Sequence, residues 1–208
     1  MPIQRTYRKE GEGGIASYDW TDIAEGTGLV TFYGCSDAIS GATTYSLINN
    51  SSIYSDSAAL ELVRDTEGST TISFDTPKFN LPRIVKGTAY FSAAFRIDTT
   101  PGQTYLRLQL NKLNGSVATP ISSFIKSSQK YFSVADNGMY FVKMPISGAN
   151  VIKAGEQIRL TLELTRGGAG IAAVAFDPAN RDAAYITPST QPKLTSRMRV
   201  FIPFRIDI

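Results

Sequence analysis

The sequence predicts an all-β protein, an antiparallel β-sandwich of jelly-roll type with an extended N-terminal arm. Three observations predict it. From residue 69 onward apolar residues recur with a period of two in one run after another, while helical periodicity is nearly absent. Turn-forming stretches such as Asn114-Gly115 and Asp136-Asn137-Gly138 separate several of those runs, as hairpins require. Charged residues are only 19% of the 208-residue chain, below the globular average of about a quarter, while Ser, Thr, Gly and aromatic residues are plentiful.

The elements follow in order. Residues 1–16 are glycine-rich and hold only Ile3, Tyr7 and Ile15 as sizeable apolar groups, so they read as an arm whose Arg5, Tyr7, Arg8 and Lys9 are expected to contact a partner. Residues 17–208 read as one sandwich domain, because no composition break or repeat divides them. The first strand is GLVTFYG at 28–34. A Ser- and Asn-rich zone follows, in which TYSLI is apolar and AALELV fits either a strand or a short helix. STTISFD, TAYFSAAFRID and TYLRLQLNKL then alternate as half-buried strands do. SVATPISSFI, KYFSVA, MYFVKMPI, EQIRLTLELTR and IAAVAFD continue the series, and a proline-containing loop at 177–193 leads to RMRVFIPFRIDI at 197–208. An immunoglobulin-like domain of ~100 residues would leave half of this chain unexplained.

Composition narrows the function. Twenty-one Lys and Arg against 18 Asp and Glu give a charge of +3 with no basic tract, which argues against nucleic acid. The longest apolar stretch, near IAAVAF, is far short of the ~20 residues of a spanning helix, and no apolar signal segment is evident, so neither a membrane partner nor export is expected. A single Cys35 suits a small core residue, and the absence of histidine excludes Ser-His-Asp and Cys-His catalysis.

Candidate chemistry is sparse. Asp177, Asn180 and Asp182 in FDPANRD offer oxygen atoms to calcium, but the same residues suit a structural turn. Asp19 and Asp22 flanking Trp20 pose the same choice, and the structural role is favoured in both places. Glu163 is a lone outward acid, where glycoside hydrolysis generally needs a positioned pair, so a non-enzymatic protein without cofactor or metal is expected. Tyr90, Tyr105 and Tyr140 lie on strands with apolar opposite faces and allow an alternative, a carbohydrate-binding module of a receptor-binding appendage.

Four stretches from the second half, the strand ending in MPI, IKAGEQIRLTLEL, AFDPANRD and RVFIPFRIDI, resemble virion structural proteins of tailed phages, as does GTGLVTFYG near the start. The resemblance covers about a third of the chain and carries no catalytic motif. It implies a jelly-roll subunit of the particle, such as a capsid decoration or another head or tail accessory protein. Such a subunit assembles in the host cytoplasm and binds a major capsid or other virion protein.

The last strand raises the question of partners most directly. Met198, Val200, Ile202, Phe204, Ile206 and Ile208 share one face, and the other carries Arg197, Arg199, Phe201, Pro203 and Arg205. Proline suits an edge strand, and a bare edge invites pairing. Arg197, Arg199, Phe201 and Arg205 are therefore expected to meet a neighbouring subunit, most simply in a homotrimer.

Overall fold

The computed structural model describes residues 27–40, 44–49, 60–64, 67–98, 104–126, 136–167, 171–177 and 197–205. Among them the regular elements are all strands: β1 (Thr27–Ser40), β2 (Thr44–Ile48), β3 (Leu60–Arg64), β4 (Gly68–Asp75), β5 (Arg83–Val85), β6 (Thr88–Asp98) and β7 (Tyr105–Asn114). After these come β8 (Val117–Pro120), β9 (Ile125–Lys126), β10 (Asp136–Pro145), β11 (Asn150–Ile152), β12 (Gln157–Arg166), β13 (Ile171–Asp177) and β14 (Arg199–Arg205). The arm expected at 1–16 lies outside the described residues.

Two layers emerge from the pairing. One runs β1–β14–β6–β10, and the other runs β4–β12–β7, with β8 and β9 both on the far side of β7. Following the chain, β4 lies in the second layer, β6 in the first, β7 in the second, β10 in the first, β12 in the second and β14 in the first. That repeated crossing is the jelly-roll path, and it makes antiparallel neighbours of strands distant in sequence. β2 joins the layers by pairing antiparallel with β1 and parallel with β4, the one parallel ladder among the described strands. β13 continues the first layer beside the second half of β6 and carries β3 on its other edge.

Period-two alternation fills the space between the layers. Leu106, Leu108 and Leu110 of β7, Ile158, Leu160, Leu162 and Leu164 of β12, and Ile72 and Phe74 of β4 face Phe91, Val142, Met144, Val200 and Ile202 in a single buried cluster. Phe74, Phe176 and Tyr45 pack mutually in tilted and edge-on arrangements at the join between layers, with ring centroids 5.0 to 5.7 Å apart. Two turns follow directly from sequence. Gly115 takes a φ of 59° in the two-residue loop that closes Asn114 onto Val117. In IKAGEQ, Gly155 has a φ of 84° while the buried Glu156 carboxylate accepts the Lys153 amide at 2.7 Å, which closes the turn into β12.

One open reading is settled and two expectations change. The described part of AALELV, from Leu60 onward, is strand in β3, which pairs with β13. Asp136, Asn137 and Gly138 do not turn; they extend β10 opposite Ile97, Arg96 and Phe95 of β6, where a long partner strand outweighs local turn preference. The last strand is interior, between β1 and β6, and is not an edge. Pro203 is tolerated there because its ladder with β6 ends at Phe201, and its carbonyl accepts the Lys86 amide on that same side. The missing N–H thus falls between the end of the β6 ladder at Phe201 and the β5 ladder that begins at Phe204.

Alternation makes a quantitative prediction. Leu162→Ala, in the shared core, should cost about 2–5 kcal/mol in urea unfolding, whereas Thr71→Ala, on the exposed side one residue pair away, should stay within about 0.5 kcal/mol of wild type. Equal costs would mean that the layers do not pack as described.

Candidate functional site

The outer face of the first layer is where the sequence puts apolar groups on the wrong side of a strand. β10 reads MYFVKMP, with Tyr140, Val142 and Met144 inward and Met139, Phe141 and Lys143 outward. Met139 and Phe141 are each 60% exposed and Leu29 of β1 is 40% exposed. Cross-strand register then collects them: Phe201 of β14 lies opposite Tyr90 of β6 and Thr31 of β1, and Leu29 lies opposite Pro203. Tyr90 stacks on Phe141 with centroids 5.5 Å apart and rings 28° from parallel. Leu29, Tyr90, Phe141 and Phe201 line an open, wholly apolar depression of roughly 240 Å³. Among outward residues of this face whose side chains are described, the charged ones are Lys143, Arg199 and Arg205, all exposed and all cationic. Arg199 leans over the Tyr33 ring at 6.0 Å.

Arg197 does not share that surface. Its side chain is 4% exposed and lies 3.5 Å from the Asp177 carboxylate, itself 0% exposed, and its Nε donates to the Gly34 carbonyl at 2.7 Å. The guanidinium also sits 5.5 Å from the centre of the Tyr33 ring. The reason is local: the Met198 amide donates to the Phe176 carbonyl and the Gly34 amide to the Met198 carbonyl, so the end of β13 and the start of β14 are drawn together against β1. Gly34 suits this close approach, since a Cβ would stand 3.0 Å from the Phe176 carbonyl oxygen and 2.9 Å from Met198 Cε, and the strands would have to give by a few tenths of an ångström. Asp177 is thereby an internal partner of Arg197. Asn180 and Asp182 lie outside the described residues, as do Arg5, Tyr7, Arg8 and Lys9. Among the described residues no group of three His, Cys, Asp or Glu side chains is placed to hold a metal.

The outer face of the second layer has the opposite character. Its outward positions on β4, β12 and β7 are hydroxyls, amides and paired charges. Arg159 grips Asp75 through two hydrogen bonds of 2.6 and 2.7 Å, which push the Arg159 pKa up against the cost of partial burial. Arg107 reaches Glu163 at 3.4 Å, and Asn111 donates to Thr161 at 3.2 Å. Thr165 donates to Glu163 at 3.2 Å and shares a 2.7 Å hydrogen bond with Ser69. Two aromatic rings border this lattice: Phe124, with the Arg107 guanidinium 4.6 Å above it, and Tyr105, with the Lys126 ammonium at 3.9 Å.

The three tyrosines considered for stacking therefore part company. Tyr90 belongs to the apolar band, Tyr105 to the polar face, and Tyr140 packs on the core 6.1 Å from Phe95. Sequence reasoning found Phe201 and missed Leu29, Met139 and Phe141. Its available signal was a strand apolar on both faces, which MYFVKMP shares with VFIPF.

No family model matches the chain, and no curated protein matches it. Solved structures do. A CocE/NonD family hydrolase from Staphylococcus aureus matches at a TM-score of 0.52 with 10% identity, over 86% of this chain and 36% of that one. An aminopeptidase from a marine sediment Thaumarchaeota archaeon matches at 0.53 with 10% identity, over 88% and 37%. Structures of infectious bursal disease virus are a distant likeness, the Gx strain at 0.33 with 12% identity, over 72% and 34%, too low to bear on function. This chain spans little more than a third of the two enzymes, and at 10% identity the likeness is one of fold. It nevertheless overturns the expectation of a non-enzymatic chain, since the folds that match best among these are parts of hydrolytic enzymes.

The ion pair at the base of β13 and β14 supplies a test. Asp177→Ala would leave the Arg197 charge buried and should cost about 3–5 kcal/mol, read by urea unfolding. Asp177→Ala together with Arg197→Met should recover a substantial part of that loss. A single substitution of negligible cost would mean that the pair does not close the two strands.

Proposed function

We propose that the chain is a virion structural subunit, a capsid decoration or accessory protein, that assembles with copies of itself through the outer face of the β1–β14–β6–β10 layer. The observation that carries this reading is the contiguous band of Leu29, Phe201, Tyr90, Phe141 and Met139 on a face that a free subunit would present to water. Such a band, with cations at its margin, is the composition of a protein interface. The resemblance of the terminal strands to phage virion proteins supports the same reading.

The cationic margin also bears on symmetry. A two-fold contact would set Lys143, Arg199 and Arg205 of one copy against the same residues of the other, which is unfavourable. A head-to-tail contact avoids this and closes most simply as a homotrimer. Arg199, Phe201 and Arg205 then act in the interface, Arg5, Tyr7, Arg8 and Lys9 extend it to a neighbouring virion protein, and Arg197 holds β14 in place beneath it.

A second reading is favoured by the match to hydrolases: the chain is a β-sandwich module of a hydrolytic protein. Without histidine it would not itself furnish a Ser-His-Asp triad. Turnover of p-nitrophenyl acetate or leucine p-nitroanilide by the purified chain, above a buffer blank, would favour that reading over assembly.

Phe141→Glu should leave the far-ultraviolet circular dichroism and melting temperature near wild type, because the side chain is exposed, and should reduce the mass measured by sedimentation equilibrium to that of one chain. An unchanged oligomer mass, or a wild type that is monomeric at every concentration, would defeat the assembly reading.

A further inference from the structure

The polar face of the β4–β12–β7 layer is not used by the assembly reading, and its chemistry is specific. Its central charges cancel in pairs, Arg159 with Asp75 and Arg107 with Glu163, so it presents hydrogen-bonding groups without a net field. A polyanion such as nucleic acid has little to gain there, since its affinity rests on uncompensated cations. The exposed and half-buried outward positions of these three strands carry no aliphatic side chain, Leu113 on that side being buried, so the face also lacks the exposed apolar centre of a protein interface.

Order distinguishes it from a merely solvated surface. The Asn111–Thr161, Thr165–Glu163 and Ser69–Thr165 hydrogen bonds fix short side chains in one arrangement, so little conformational freedom is left to lose on binding. Gln109 stands among them, its amide 3.5 Å from the Ser122 carbonyl. At the margin next to β9, Phe124 is 46% exposed although it touches Arg107, and it offers an aromatic surface beside the polar lattice. A ligand that matches both features is uncharged, carries many hydroxyl groups, and has an apolar C–H face to lay on a ring.

We propose that this face binds a neutral oligosaccharide, with Phe124 as the stacking platform and Gln109, Thr161 and Glu163 as the groups that fix sugar hydroxyls. Glu163 accepts from a hydroxyl with the remaining lone pair of Oε1, the oxygen that also accepts from Thr165, while Arg107 holds Oε2 in place. The site lies on the face opposite the apolar band, so it operates in an assembled subunit and stands or falls separately from the assembly reading.

The test is an array of neutral, sialylated and sulfated oligosaccharides probed with the full chain, followed by calorimetric titration of the best neutral ligand. Saturable binding of a neutral saccharide is expected. Phe124→Ala and Gln109→Ala should each weaken it by about tenfold or more, the size of one lost contact of this kind, with melting temperature and oligomer mass unchanged. Phe141→Glu should leave the affinity intact. No saturable neutral ligand on the array, a preference for charged saccharides that Lys126→Ala abolishes, or affinity that survives both substitutions would each overturn the proposal.

Discussion

The long strands β4, β6, β7, β10, β12 and β14 serve one apolar core between two layers, and the jelly-roll path leaves the protein no choice about which residues fill it. Successive side chains of a strand point to opposite faces, so fixing Leu160, Leu162 and Leu164 against Phe91 and Val200 fixes Arg159, Thr161 and Glu163 on the outside. A register slip by one residue would bury the charges. The core therefore determines the two outer faces as well as the stability, and the difference between those faces is the main functional content of the fold. One is apolar with a cationic margin; the other is polar, interlocked and neutral at its centre.

Strand β14 ties this arrangement together. It lies between β1 and β6, contributes Val200, Ile202 and Phe204 to the core after Met198 just ahead of it, and presents Phe201 to the apolar band. Arg197 and Asp177 anchor its start, with Gly34 permitting the close approach, and β5 takes over from β6 where Pro203 ends the ladder. The three arginines that the sequence sets along one face of the strand thus do two different jobs. Arg197 satisfies buried groups within the subunit, while Arg199 and Arg205 remain at the surface.

Much of the fold was legible in the sequence because burial is strictly periodic where strands are long. EQIRLTLELTR reads as β12 with its inner and outer faces correctly assigned, and TYLRLQLNKL as β7. What period and turn chemistry cannot report is which strands become neighbours. That is why Asp136-Asn137-Gly138 looks like a turn until β6 is seen to pair with it, and why Pro203 suggests an edge until its place beside the end of β6 is known. The same limit hid the sites: Leu29, Tyr90, Phe141 and Phe201 come from four strands scattered over most of the described chain, and only their order in the layer brings them together. The Asp75–Arg159 and Glu163–Arg107 pairs were equally invisible, because each spans a cross-strand register set by distant residues.

The central claim is that assembly covers the apolar face and leaves the polar one open. Hydroxyl-radical footprinting read by mass spectrometry, on the chain before and after self-association, tests it directly. Oxidation of Met139, Phe141 and Tyr90 should fall sharply on association while Phe124 and Tyr105 keep their reactivity. Unchanged oxidation at Met139 and Phe141, or protection that appears at Phe124 and Tyr105 instead, would contradict the account.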